Sequence, residues 1–323
     1  MKPPIQQPLR ALWAATLAFF LAGPAVTMAQ GETLPRVATI DSIEFVLIPK
    51  GEFWYSVSVA SPDQTPTNKP VVREVKIWMP DYYIARYEAT ALDFLRFLDT
   101  IGTNIPLPRV LDAEGRNCIP EKGEQGGYRL QEPYASEPGR PATGLSWLMA
   151  DAYARGLGFR LPTDAEWQKA ARGTRDRRYW PWGDEYPDDT FGHFMEPGRC
   201  RASAIDSYPK GRSPYGVFHL AGNVAEWVED WVNHEHDMSL KDGQRYPGPP
   251  DKGLLSAGMS EPQRKQKGGR WSALPDAMGI ARSPGFPPHY YNQANGVRFA
   301  VDARTMALWL AAGRAVPVES GKP

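Results

Sequence analysis

Residues 160–173 read Arg160-Leu161-Pro162-Thr163-Asp164-Ala165-Glu166-Trp167-Gln168-Lys169-Ala170-Ala171-Arg172-Gly173. Thr163 and Glu166 stand three apart, the spacing at which a threonine and a glutamate side chain cap each other's backbone N–H groups at a helix start. With Pro162 just before the pair, a helix is predicted over Thr163–Arg172. Charges alternating with tryptophan at such a start more often build a packed, salt-bridged scaffold than a reaction centre. Arg160, Glu166, Trp167 and Arg172 are therefore read as scaffold.

Outward from this helix, Trp147–Leu157 is a second helical segment, and Thr90, with Asp93 three residues on, caps a third through Thr100, where Leu92, Leu95, Phe97 and Leu98 recur at near-helical spacing. Ile43–Ile48 is an apolar, β-branched run ended by Pro49-Lys50-Gly51, a strand entering a turn. Val71–Trp78 is a strand behind a polar loop at 61–70. Residues 101–141 and 238–267 are rich in Gly, Pro and charge and read as long loops. Beyond Gly173 the pattern is short strands, aromatics and turns, without an internal repeat. The fold class is α+β.

The composition sets outer limits. Lys and Arg number 37 against 37 Asp and Glu, a formal net charge of +0, so no global field favours nucleic acid or anionic lipid, and no nucleic-acid partner is expected. Hydrophobic residues at 42% exclude wholesale disorder. Gly 30 and Pro 32 in 323 residues exceed the usual share of about 12%, which means many turns and few long helices.

Lys2 and Arg10 precede an apolar run from Ala11 to Ala22, followed by Gly23, Pro24 and small residues at Thr27 and Ala29. This is a signal-peptide pattern, too short for a helix that needs about 20 residues to span a bilayer. Residues 1–29 are read as leader, 30–40 as linker, 41–303 as one domain and 304–323 as a tail, with no stable membrane span after cleavage. The expected location is periplasmic or secreted. An oxidising compartment permits a Cys118–Cys200 disulfide, although spacing alone leaves open whether the two meet.

Several blocks occur together in one order: Phe45-Val46-Leu47-Ile48-Pro49-Lys50-Gly51-Glu52-Phe53, Tyr83–Thr90, Gly144-Leu145-Ser146-Trp147, Arg160–Gly173, Trp180-Pro181-Trp182-Gly183, Gly222-Asn223-Val224-Ala225-Glu226-Trp227, Lys267-Gly268-Gly269-Arg270-Trp271 and Asn295-Gly296-Val297-Arg298-Phe299. The set resembles the formylglycine-generating enzyme family, also called sulfatase-modifying factors. The resemblance implies a C-type-lectin-like fold with much irregular loop.

It also implies a calcium site from the carbonyls of Gly222 and Val224 and the carboxylate of Glu226. The fourth ligand position, Asn or Asp in the family, falls on His219, and neutral imidazole is a poor donor to a hard cation. The competing reading is a tight turn whose Glu226 accepts backbone hydrogen bonds. In the family's enzymes two cysteines five apart follow the Lys267–Trp271 block, bind copper as thiolates and activate oxygen to oxidise a substrate cysteine. Here those positions are Ala273 and Met278, which supply no thiolate. No catalytic residue is assigned. Ala154 and Ala171 likewise stand where eukaryotic members place disulfide cysteines.

Replacement ligands for a redox metal would come from His193, His219, His234, His236 and His289. His234 and His236 share a face only on a strand, and the His-x-x-x-Glu-x-His pattern of the thiol-histidine-forming branch is missing. No Gly-x-Ser-x-Gly elbow, phosphate loop or Cys-x-x-Cys occurs. Arg270, Trp271, Arg282, His289, Tyr290, Tyr291 and Arg298 fall where the fold often forms a ligand-facing surface. Arginines beside aromatics suit a peptide, glycan or carboxylate. Trp271, Arg282, His289, Tyr290 and Tyr291 are the ligand candidates, with buried scaffold the other reading of Trp271 and Arg298. The first expectation is an exported binding or maturation accessory acting with a peptide, protein or metabolite. The rivals are a metal-dependent oxidase of non-haem iron type and formylglycine generation on sulfatases.

Overall fold

The structure, a computed structural model, describes residues 33–59, 71–101, 107–111, 115–124, 126–132, 134–137, 139–175, 177–195, 202–233, 240–242 and 261–318. Along the chain run β1 (Val37–Ile40), β2 (Ile43–Ile48), β3 (Gly51–Val59), β4 (Val71–Met79), β5 (Tyr82–Ala85), α1 (Ala91–Ile101), β6 (Glu121–Lys122), β7 (Tyr128–Arg129), α2 (Trp147–Gly156), α3 (Asp164–Arg172), β8 (Ala225–Trp231), β9 (Arg264–Lys267), β10 (Gly285–Phe286), β11 (Asn295–Gly296), β12 (Ala300–Asp302), α4 (Ala303–Ala311) and β13 (Val316–Pro317). Among the described residues no helix is long and apolar enough to cross a membrane.

A five-stranded sheet ordered β12-β5-β2-β1-β13 forms the middle layer. Its β2 reads as a nearly unbroken apolar run because both faces are covered. Phe45 joins Tyr83, Phe94, Phe97, Tyr153, Phe159, Phe299 and Trp309 beneath α1, α2 and α4. Val46 and Ile48 point the other way and join Tyr82, Ile84, Trp167, Ala170 and Ala171 beneath α3, as the two-residue side-chain period requires. Asp41 and Ser42 close the β1–β2 hairpin with φ of 49° and 69°, the paired left-handed conformation that two-residue hairpins favour. A second sheet is ordered β10-β9-β8-β11.

All three predicted helices form within a residue or two of their expected ends. Both arms of the α3 capping box are made: Glu166 N–H donates to Thr163 Oγ1 at 3.1 Å and Thr163 N–H to Glu166 Oε2 at 2.9 Å. Thr163→Ala is expected to lower stability by about 1 kcal/mol, measured by urea unfolding, with Thr163→Ser retaining most of it.

Regular elements also form in segments that the sequence reading left as linker, tail or loop. β1 lies in the expected linker, and α4 and β13 lie in the expected tail, where Thr39 pairs with Val316 across the whole length of the domain; a pairing so remote leaves no local pattern. β9 lies in an expected loop and reads Arg-Lys-Gln-Lys, with no apolar alternation, because its inward positions Lys265 and Lys267 are satisfied by a buried carboxylate instead of a hydrophobic core. The 101–141 loop holds the β6–β7 ribbon and a small core of Ala91, Val110, Cys118, Ile119, Leu130 and Tyr134. Cys118 is disulfide-bonded; the chain's other cysteine, Cys200, lies outside the described residues.

Candidate functional site

α3 is buried along its whole length, so each of its charges has a partner. Glu166 takes the Arg160 guanidinium through two bonds of 2.7 Å, Lys169 donates to the carbonyls of Pro49 and Gly51, and Arg172 donates to the Trp54 carbonyl and Ser56 Oγ. Asp164 lies between Lys265 at 2.9 Å and Lys267 at 3.0 Å. These residues hold α3 against β3 and β9, and none faces solvent.

The loop entering β8 is built from strained backbone. Tyr208, His219 and Asn223 are left-handed, with φ of 58°, 55° and 60°. Gly222 has φ 89°, and a Cβ there would stand 2.5 Å from the His193 carbonyl oxygen. The turn aims Asn223 inward, where its Nδ2 donates to Glu88 Oε2 at 2.9 Å and its Oδ1 accepts the Ser203 N–H at 2.7 Å. Ser203 Oγ in turn lies 2.9 Å from His193 Nδ1. Burial pushes the Glu88 carboxyl well up, the Arg298 charge opposes that, and Glu226 adds to it.

Glu226 is 0% exposed. Arg298 Nη2 donates to its Oε1 at 2.5 Å, Arg298 Nε to its Oε2 at 2.9 Å, and Trp167 Nε1 to its Oε2 at 2.7 Å. Arg298 is itself fixed by donating to the carbonyls of Ala85 and Phe218. Burial first, and the Arg298 charge second, lower the His219 imidazole to about 3, so it is neutral and its Nε2 donates to the Ala204 carbonyl at 3.2 Å. Gly222, Val224, Glu226 and His219 are thus gathered in one loop, but they do not fit calcium: the carboxylate is taken by a cation and an indole, and the imidazole presents a donor. The turn reading needs correction too, since these bonds to Glu226 come from side chains.

Ala273 and Met278, the positions of the family's copper thiolates, sit in one apolar cluster. Met278 is fully buried with Trp180 and Ala221, and Tyr179, Trp182, Phe194 and Ala273 pack around them. Gly269, at φ 72°, approaches so closely that a Cβ would meet Met278 Cγ at 2.4 Å. Trp180 Nε1 donates to the Pro275 carbonyl and Tyr179 Oη to that of Asp276, tying the 179–195 and 271–279 segments together. At the rim Tyr186, Met195 and Leu274 are 61%, 56% and 64% exposed. Among the described residues no three or more His, Cys, Asp or Glu side chains gather to hold a metal. His234 and His236 lie outside the described residues.

The ligand candidates divide. Trp271 is 0% exposed and packs with Ala202, Val224 and Ala294, and Arg298 is equally buried, so both take the scaffold reading. Arg282 is half-buried and bonds Tyr179. His289 is exposed, 3.9 Å from Glu261. Tyr290 stacks on Phe286 at 4.7 Å, and Tyr291 is exposed beside it. Sequence reasoning missed Glu88, which Asn223 reaches from 135 residues away, Ser203 and Tyr208 beside it near His193, and the Arg264 guanidinium between the rings of Trp147 and Trp231 at 3.6 and 3.5 Å. Only the aromatic spacing of β8 hinted at that last contact.

Residues 31–303 match the sulfatase-modifying factor enzyme 1-like domain. A serine/threonine-protein kinase pkn1 of Chlamydia pneumoniae is 27% identical over 80% of this chain and 38% of its own length. Hercynine oxygenase of Mycolicibacterium smegmatis is 27% identical over 82% of this chain and 60% of its own. The formylglycine-generating enzyme of Streptomyces coelicolor is 40% identical over 42% of this chain and 44% of its own. The chain thus spans between 38% and 60% of the length of these curated relatives. PvdO from Pseudomonas aeruginosa superposes with a TM-score of 0.61 at 20% identity, over 84% of this chain and 100% of PvdO, and so has the same fold. With the domain match extending across most of its length, the chain belongs to the sulfatase-modifying factor enzyme 1-like family.

Proposed function

We propose that the chain is an exported binding or maturation accessory that keeps the family scaffold without copper–thiolate chemistry. The observation that carries this reading is the fate of the thiolate positions: Ala273 and Met278 are embedded in an aromatic cluster, and neither presents the soft anion that copper(I) requires. The exposed Tyr186, Met195 and Leu274 around that cluster offer an apolar surface for an exported peptide, protein or metabolite. Export rests on the leader pattern, and a disulfide at Cys118 accords with an oxidising compartment.

The test is a conversion assay on a Cys-x-Pro-x-Arg peptide, paired with elemental analysis of chain purified without chelators. No aldehyde, and copper and iron each below about a tenth of an equivalent, is the expected result. Aldehyde formation overturns it in favour of formylglycine generation. A second reading, a metal-dependent oxidase on a secreted metabolite or peptide, draws support from the likeness to hercynine oxygenase across most of the chain. About one equivalent of iron, with oxygen uptake abolished by His→Ala changes, would establish it.

A further inference from the structure

We propose that the loop entering β8 takes no calcium because its cation is built in: the Arg298 guanidinium occupies the charge-balancing place at Glu226. Calcium needs six to eight oxygen ligands at about 2.3–2.6 Å. Of the side chains the family resemblance assigns to such a site, one carboxylate has both oxygens engaged by Arg298 and Trp167, and one imidazole donates to a carbonyl. A neighbouring carboxyl, that of Glu88, is bonded by the Asn223 amide and Val224 N–H. A divalent ion bonded to Glu226 would stand against a fully buried guanidinium, and like charges in a buried, low-dielectric setting repel strongly. Arg298 has no other place to go: it is 0% exposed and is held by the Ala85 and Phe218 carbonyls, at 2.9 and 2.8 Å, as well as by Glu226. One residue therefore ties β5, the His219 turn and β8 together, the work a shared ion would otherwise do. This inference is independent of the proposed function.

The test is thermal unfolding of the whole chain in about 5 mM calcium chloride against EGTA at matched ionic strength, with bound calcium measured after dialysis. Melting temperatures within about 1 °C of each other, and no stoichiometric calcium, are expected. A rise of several degrees with calcium, or about one bound ion per chain, overturns the proposal. Arg298→Met supplies the converse: its melting temperature is expected to fall and to recover by several degrees with calcium chloride but not with potassium chloride. A folded Arg298→Met that ignores calcium overturns the claim that the guanidinium stands in the ion's place. If that variant does not fold, the wild-type titration decides alone.

Discussion

Asp164→Asn is expected to lower the unfolding free energy by about 4 kcal/mol, the middle of the range for breaking a buried ion pair by removing one partner. The carboxylate receives Lys265, Lys267, Gln168, Tyr55 and Ser283, and all but Ser283 of these are buried. An amide keeps the shape but leaves two ammonium groups facing a neutral oxygen, and the lysines cannot reach water without opening β9. Lys265→Met should cost less, because Asp164 and Lys267 remain paired and a buried amine is replaced by an apolar chain of similar length. Urea unfolding of the two variants checks the order; a loss below about 1 kcal/mol for Asp164→Asn would show that the lysines find other partners or deprotonate. The acid limb follows in sign. Burial alone would raise the Asp164 carboxyl, but Lys267 and Lys265 outweigh it and hold it well below the usual range. Its stabilisation is therefore present above the unfolded value near 3.8 and is lost as pH falls below it.

Asp164 also shows that the ties holding the scaffold together lie away from the thiolate positions. The family's thiolate positions lie on the 271–279 segment, whereas the polar ties that hold the domain together run through α3, β8, β9 and Arg298. Ala273 and Met278 on that segment make apolar contacts instead.

The elements legible in the sequence are those whose cause is local. The α3 capping box needs only Thr163 and Glu166, and α1 needs only Thr90 and a run of apolar residues at helical spacing. The sheet edges were not legible, because β1 is completed by β13 from the far end of the domain and β9 is recruited by charge. The site shows the same division. The replacement of the thiolates could be read from two positions, and the poor match of His219 to calcium from one. The engagement of Glu226 by Arg298 could not be read, since the partners stand 72 residues apart and a Glu in a tight turn satisfies either a metal or a guanidinium by pattern alone. The blocks around Trp271 and Arg298 suggested a ligand surface because arginine beside tryptophan is common at interfaces, but the same pair serves equally well under complete burial.

His219 is expected to make the protein acid-labile over a window set by that one side chain. Burial and the nearby Arg298 charge lower it to about 3 in the folded state, against about 6.5 unfolded. Between those values the unfolded chain binds the extra proton and the folded one does not, so stability rises with pH across the window and falls as acid is added. The loss amounts to about 2 kcal/mol between pH 6.5 and pH 4.5, and it grows until the folded imidazole itself protonates. Glu88 works in the opposite direction, because its carboxyl is pushed up by burial and its stabilisation is lost as pH rises above the unfolded carboxylate value. A raw pH profile therefore mixes the two, and His219→Asn separates them: asparagine tolerates the left-handed backbone at φ 55° and does not titrate. Unfolding measured in EGTA from pH 7 to pH 4 should give a wild-type-minus-variant difference that falls by about 2 kcal/mol as pH drops to 4.5. A flat difference would mean that the imidazole keeps an ordinary affinity for protons when folded, which requires water to reach a ring that the structure surrounds with Tyr208, Phe218 and the Ala204 carbonyl.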